Sequence, residues 1–219
     1  MIRIFQVSDI HGNLEAAERI PMRAKELKAD LIVVAGDITH FGGKEQAKEI
    51  LEKISEAGIP IFFVSGNCDS PELLEWNPER INAVNLHGKL REFSGYTFMG
   101  VGGGSGKFGT LTELEESEFE KILESMRPAE GSKLILVTHS PPYGTEADYT
   151  GVKHIGSSAI RRFAERVQPI LVCAGHAHEG RSITKLKDTV IVNAGPAKNG
   201  FCALIEVEDG DVDPQLLTL

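Results

Sequence analysis

The sequence predicts an α/β fold, and two observations carry the prediction. Five apolar, β-branched runs, IRIFQV, LIVVA, IFFV, LILVT and ILVCA, have the length and continuity of strands covered on both faces. Amphipathic segments of helical period separate the first three, as a βαβαβ series requires. Each run then passes directly into Asp, Asn or His: Asp9 and His11, Asp37, Asn67, His139, and the pair His176 and His178. Parallel strands share a carboxyl edge, where open α/β sheets place their ligands, so residues far apart in sequence are expected to converge on one rim.

The elements follow in order. Asn13 to Lys28 alternates apolar and charged residues at helical spacing, with Asn13 as the cap and Pro21 as a kink. Lys44 to Ala57 is a second amphipathic helix, ended by Gly58 and Pro60 before IFFV. From Ala83 to Gly102, glycines separate the short segments VNLHG, KLREFSG and YTFMGVGG, which predicts antiparallel or edge strands. A glycine-rich stretch, 100–109, leads to a helix over Thr112–Met126, with Thr112 and Glu115 spaced as a capping box. After LILVTH, Pro141 and Pro142 open a long loop through Lys153, and a helix over Ser157–Val167 precedes ILVCAGHAH. The tail, SITKLKD, VIVNAGP, CALIEVEDG and DVDPQLLTL, predicts consecutive hairpin strands turning at Asp-Gly and Gly-Pro.

Composition narrows the class. At 219 residues, 41% hydrophobic and 25% charged, the chain can bury a substantial core, and residues 1–219 are expected to form a single domain. A net charge of -9 argues against broad nucleic-acid binding, which needs clustered Lys and Arg. Cys68, Cys173 and Cys202 are an odd number, and two lie inside strand-like runs, so buried free thiols are expected. The start MIRIFQV has no basic leader, and no segment is apolar enough to span a membrane, so a cytoplasmic protein without membrane association is expected. The oligomeric state is open, and a homo-oligomer is compatible with everything above.

The residues that end the strands suggest metal chemistry. Asp9 and His11, two apart, can offer a carboxylate and an imidazole to one cation, although an isolated Asp-x-His is more often a turn and a surface histidine. Gly36-Asp37 and Gly66-Asn67 alone are ordinary turn pairs. In this company their glycines allow close approach to a metal centre, and the two oxygens of Asp37 can bridge two cations. His176 and His178 flank one small residue directly after a buried strand, and His139 taken alone reads equally as a core histidine. Three or more imidazoles with Asp and Asn oxygens suit Mn²⁺, Fe, Zn²⁺ or Ni²⁺ better than Ca²⁺ or Mg²⁺. Seven donors are too many for one tetrahedral ion. Shared through a bridging carboxylate, they can hold two ions about 3.5–4 Å apart, a spacing at which a hydroxide between them attacks phosphorus in line.

In this order the motifs DIH at 9–11, GD at 36–37, GNCD at 66–69, TH at 138–139 and GHAH at 175–178 resemble those of the calcineurin-like binuclear metallophosphoesterases. The resemblance covers nearly the whole chain. It implies a four-layer α/β/β/α sandwich of two mixed sheets flanked by helices, and hydrolysis of a small phosphoester. It also implies that Asp9, His11, Asp37 and His178 hold one metal, manganese being favoured, while Asp37, Asn67, His139 and His176 hold the other. GNCD resembles the small prokaryotic members that cleave phosphodiesters; a phosphomonoesterase and a non-catalytic scaffold on the same fold are the alternatives. One departure stands out. Cys68 occupies the place of the histidine that in the family protonates the leaving group or stabilises transition-state charge, and a neutral thiol does that poorly.

The remaining candidates are substrate contacts. Residues 104–109 fit G-x-G-x-x-G but lack the βαβ context of a dinucleotide fingerprint, so they are expected to form a mobile loop whose Lys107 touches phosphate. His40 and His154 are further candidate contacts, each equally readable as a surface or packing residue. Tyr143, Asp148 and Tyr149, in the long loop after His139, are expected to shape specificity.

Overall fold

The computed structural model describes residues 1–219 and contains two six-stranded sheets. The first has the order β12-β11-β1-β2-β3-β4, from β1 (Ile2–Val7), β2 (Leu31–Ala35), β3 (Ile61–Val64), β4 (Ala83–Asn85), β11 (Phe201–Glu208) and β12 (Asp211–Thr218). The second has the order β5-β6-β7-β8-β10-β9, from β5 (Leu90–Phe93), β6 (Tyr96–Val101), β7 (Leu134–Thr138), β8 (Leu171–Ala174), β9 (Ser182–Leu186) and β10 (Thr189–Asn193). Both are mixed. In the first sheet β1 to β4 are parallel, and in the second β6, β7, β8 and β10 are parallel. The five apolar runs thus divide three and two between the sheets.

The period-2 alternation of strands explains why those runs are apolar throughout. Phe5, Ile32, Val34 and Phe63 face helices α1 (Leu14–Glu26) and α2 (Lys44–Ser55), which contribute Ile20, Ala24, Ile50 and Ile54 to one cluster. Their neighbours Ile4, Leu31, Val33 and Phe62 face the second sheet, meeting Phe98, Ile135, Val137 and Val192. The outer face of the second sheet, with Leu136, Val172 and Ile191, is covered by Phe119 of α3 (Glu116–Ser125) and by Ile160 and Phe163 of α4 (Ser158–Val167). Three apolar layers between four structural layers make the α/β/β/α sandwich.

Local signals are met closely at three helices. The Asn13 side chain accepts from Ala16 N at 2.9 Å, and Ser157 caps α4 by accepting from Ile160 N at 3.2 Å. Helix α1 continues through Pro21, and α2 begins at Lys44. The third helix begins later than expected. It starts at Glu116, and its capping interaction is Glu115 N donating to the Glu118 carboxylate at 2.8 Å, because the Thr112 hydroxyl is drawn away to donate to the Asp69 carbonyl at 2.6 Å. The tail is also corrected. It forms two hairpins in different sheets, β9-β10 and β11-β12, and the Gly195-Pro196 segment crosses between the sheets instead of turning a hairpin. Strand β10 already pairs with β8 on its other edge, and the run CALIEV fills the place beside β1. Among the glycine-separated segments, β5 and β6 form the expected antiparallel pair, and β4, parallel to β3, is the expected edge strand of the first sheet. All three cysteines are buried free thiols, and no helix is long and apolar enough to cross a membrane.

A polar tether crosses the inter-sheet layer. Gln6 of β1 is fully buried and donates through Nε2 to the carbonyls of Ala174 and Val192, at 2.9 and 3.0 Å. It fastens the first sheet to the carboxyl ends of β8 and β10. Gln6→Leu, by leaving buried carbonyls without that donor, is expected to lower unfolding free energy by about 1–3 kcal/mol. Denaturant unfolding checks this through a lower midpoint at unchanged m-value.

Candidate metal centre

The loops after β1, β2, β3, β7 and β8 are stitched together by their own backbones. Asp9 N donates to Gly36 O at 3.0 Å, His11 N to Asp37 O at 2.9 Å, and Gly175 N to His139 O at 3.0 Å. The turn after β3 is held to the turn after β2 by Asp69, a buried carboxylate that accepts from Gly66 N, Ile38 N and Thr39 N and from the Thr39 hydroxyl, at 2.7–3.1 Å. Asp9, His11, Asp37 and His176 all adopt left-handed backbone, with φ of 53°, 50°, 50° and 67°. Non-glycine residues rarely do so, and such strain persists where surrounding bonds over-determine it, typically at functional sites. Glycine is required beside them: at Gly36, φ is 89° and a Cβ would come 2.3 Å from His139 Nδ1, while at Gly66 it would come 2.1 Å from Asp37 Oδ1.

All seven strand-end residues meet, in two groups that share one carboxylate. In the first group, His11 Nε2 and His178 Nε2 are 3.3 Å apart, with Asp9 Oδ1 at 3.9 and 3.2 Å from them and Asp37 Oδ2 at 3.6 Å from His11 Nε2. In the second, Asn67 Oδ1 lies 2.8 Å from His139 Nε2 and 2.9 Å from His176 Nδ1, and Asp37 Oδ1 lies 3.5 Å from His139 Nε2. Donor atoms sharing one cation at bond lengths of about 2.0–2.2 Å sit about 3 Å apart, close to these separations, and Asp9, His11 and His178, like Asp9, Asp37 and His139, form triads with donor atoms within 4.8 Å of one another. The orientation of His139 fits too. A carbonyl only accepts, so Nδ1, 2.9 Å from Ala35 O, carries the donated hydrogen and turns Nε2 toward Asn67 and Asp37. The main chain at Asn67 is held in place, its backbone carbonyl accepting from Leu111 N and Thr112 N, both at 3.0 Å.

The electrostatics favour cations. Asp9, Asp37 and Asp69 are carboxylates almost wholly removed from water. Burial pushes Asp37 up, but the charge and hydrogen bonding of His139, with the charge of His11, hold it well below the usual carboxylate range. Burial likewise opposes ionisation of Asp9, and the hydrogen bond from His178 with the charge of His139 brings it below its ordinary value. Burial and the nearby Asp37 charge raise Asp69 to about 6. His139 is pulled up to about 9: burial opposes its charge and Asp37 overcomes that opposition. Burial depresses His11 and His176 to about 4. Cys68 lies at this centre. Its backbone N donates to Asp37 Oδ1 at 2.8 Å, its Sγ shares a donor cluster with His11 and Asp37, and burial with the Asp37 charge pushes its thiol far up, so it is neutral.

The other candidates fall around the rim. The ring of His40 is exposed and edge-on to His11, at 5.5 Å between centroids. Lys107 is exposed and paired with Glu115 at 3.3 Å, while its neighbour Phe108 lies edge-on to His176 at 5.8 Å. His154 is farther along the rim, bonded through Nδ1 to Asp148 Oδ1 at 2.7 Å and bordered by Tyr143 and Tyr149. Two positioning residues escaped the sequence reading. Asp69 stood in view within GNCD without a role. Asn193 ends VIVN in the same apolar-to-polar transition as the donors, and its Nδ2 donates to Ala147 O, Gly175 O and Ala177 O, holding the GHAH turn.

A two-sheet α/β sandwich with carboxylate, amide and imidazole side chains gathered at the strand ends defines the class: an α/β/β/α fold with a candidate metal centre. The sequence profile of the calcineurin-like phosphoesterases matches residues 2–180, and the chain belongs to that family. It is 34% identical over 208 residues to an uncharacterized protein of Methanocaldococcus jannaschii, covering 89% of this chain and 88% of that one. It is 32% identical to the Escherichia coli phosphodiesterase YfcE over 76 residues, covering 32% of this chain and 41% of YfcE. A crystal structure of a Thermus thermophilus protein superposes with a TM-score of 0.77 at 22% identity, covering 98% of each chain.

A metal held at this candidate centre would bind with proton linkage. Without metal, His139 holds its proton at neutral pH, because its pKa of about 9 lies above the ordinary value, while His11 and His176 are already neutral. Ligation through His139 Nε2 must expel that proton, so Mn²⁺ binding near pH 7 is expected to release about one proton and to weaken as pH falls. Titration calorimetry in two buffers of different ionisation enthalpy measures the number, and equal heats would contradict it. Gly36→Ala, which drives a methyl into His139, is expected to cost about 1–3 kcal/mol of stability and to weaken Mn²⁺ binding, read from unfolding curves and the same calorimetry.

Proposed function

We propose that the chain is a binuclear metal-dependent phosphodiesterase. In this reading Asp9, His11, Asp37 and His178 hold one divalent transition-metal ion, and Asp37, Asn67, His139 and His176 hold a second. The observation that carries it is Asp37: one oxygen faces His139 and the other faces His11, so a single buried carboxylate serves both donor groups. The mixture of imidazole with hard oxygens suits Mn²⁺, Fe, Zn²⁺ or Ni²⁺, with Mn²⁺ favoured. When bound, such ions supply Lewis acidity toward phosphoryl oxygens and make water a nucleophile at neutral pH.

The protein's own groups supply orientation. Ala35 O fixes His139, Asn193 holds the turn that carries His176 and His178, and Asp69 locks the loop of Asp37 to that of Asn67. What the chain lacks is a strong proton donor at position 68. A neutral Cys68 thiol gives little help to a departing alkoxide, which favours esters whose leaving arm departs readily or is assisted from elsewhere. The named activity of the partly matching Escherichia coli relative supports a diester substrate.

Hydrolysis of bis(p-nitrophenyl) phosphate is expected on addition of Mn²⁺ and is expected to stop with chelator. Asp37→Ala should lose turnover and metal content together, and turnover retained by the metal-free variant would defeat the reading. Cys68→His is expected to raise kcat/KM on esters with poor leaving groups by roughly 10²-fold and to affect activated aryl esters much less. Equal gains on both substrate types would contradict a leaving-group role for position 68.

A further inference from the structure

Four aromatic side chains of this chain are exposed: Phe41, Phe108, Tyr143 and Tyr149. Two of them lie beside the candidate donors and two beside His154, farther along the rim. Phe41 lies 4.8 Å from the ring of His40, which in turn abuts His11; Phe108 lies 5.8 Å from His176; Tyr143 and Tyr149 lie 5.7 and 5.1 Å from His154. Phe108, Tyr143 and Tyr149 gather around the segment of Lys153 and His154, and exposed aromatic surface gathered in this way marks a binding surface. Between Phe108 and Tyr143 opens a cleft of about 460 Å³, lined also by Lys107, Lys153, His154 and Glu116. It adjoins the metal centre through Phe108.

The cleft is charged against the character of the chain. In a protein of net charge -9 it gathers two lysines, one of which, Lys153, sits 5.2 Å from the centre of the Phe108 ring. The nearby acids are committed elsewhere. Glu116 is bound by the hydroxyls of Ser157 and Ser158 and by Ala159 N, at the start of α4. Glu115 pairs with Lys107 between strongly exposed side chains, an interaction worth little and readily exchanged for a bound anion. His154 is fixed in the wall by Asp148, a fully buried carboxylate that also accepts from Thr145 N, Gly144 N and Gly156 N; Nε2 has no partner in the protein. The walls are tied to the metal centre as well. Ser140, next to His139, accepts from Ser105 N at 2.8 Å, and the Ser105 hydroxyl donates to Ile155 O at 2.8 Å.

Resting on the phosphodiesterase reading, we infer that this cleft is a subsite for one arm of the substrate: a phosphodiester whose arm carries a planar ring and a second anionic group. The ring lies against Phe108 and Tyr143, and the anion is held by Lys107 and Lys153. The substrate class is therefore a small nucleotide-like diester with a terminal phosphate, in preference to a plain alkyl diester.

The test compares the dinucleotide TpT with its 5′- and 3′-phosphorylated forms, pTpT and TpTp, on Mn²⁺-loaded enzyme, following cleavage of the internal diester. One phosphorylated form is expected to show kcat/KM about tenfold above TpT, expressed in KM, as two exposed charge contacts allow. The double variant Lys107→Ala, Lys153→Ala should shrink that ratio to below about twofold. Tyr143→Leu should raise KM for the preferred dinucleotide several-fold. Binding of thymidine 3′,5′-bisphosphate against thymidine 5′-monophosphate, by calorimetry, gives the same comparison without turnover. Equal kcat/KM for the three dinucleotides, or a preference that survives the double variant, overturns the anion subsite, and an unchanged KM in Tyr143→Leu overturns the ring contact. If bis(p-nitrophenyl) phosphate is turned over while these preferences are absent, only the subsite fails. If no diester is turned over, the phosphodiesterase reading fails with it.

Discussion

The structure depends on keeping three buried carboxylates together with four imidazoles that range from fully buried His139 to one-third-exposed His178. An isolated buried charge is expensive, and the protein meets that cost with opposite charges and with directed backbone N–H groups. Asp37 is the extreme case. It is buried, accepts from Cys68 N, and stands between His139 on one side and His11 on the other. Asp69 accepts four hydrogen bonds and carries no donor role of its own, so its place is to hold two loops at the spacing that makes Asp37 common to both groups.

That arrangement needs rigid supports, and the four-layer sandwich provides them. Strands β1 to β3 and β7 to β8 are anchored on both faces by apolar side chains, and Gln6 couples the two sheets near the carboxyl ends of β8 and β10. The four left-handed residues at the strand ends turn the chain abruptly from apolar layer to polar rim. Such conformations are unfavourable for Asp and His in isolation, and the inter-loop hydrogen bonds make them the only arrangement available. The loops around that centre carry the aromatic and lysine side chains of Lys107, Phe108, Tyr143 and Lys153, which line a cleft on one side of it.

Much of this is legible in the chain. Alternation of a strand's faces is invisible when both faces are buried, yet the uninterrupted apolar runs announce that burial, and the polar residue that ends each run announces the rim. The caps at Asn13 and Ser157 are local hydrogen bonds that the residue types demand wherever a helix starts. The start of α3 departs from expectation because Thr112 has two possible partners, and the choice of Asp69 O over a helix backbone is a contact across 43 residues. The tail departs for a similar reason: a Gly-Pro pair permits a hairpin, but the vacant edges beside β1 and β8 decide which strand goes where.

Local chemistry, carried by residue type and spacing, determined the strands, most of the helices, the identities of the seven strand-end residues that meet and the oddity of Cys68. Only the tertiary structure decided how those candidate donors are grouped, that Asp37 faces both groups, that Asn193 and Asp69 position them, and that Phe108 and Tyr143 share one cleft. The physical reason is one of range. Hydrophobic periodicity and capping are settled within a few residues, whereas the separation of two imidazole nitrogens by 3.3 Å across 167 residues follows from sheet order and from which edges remain free to pair.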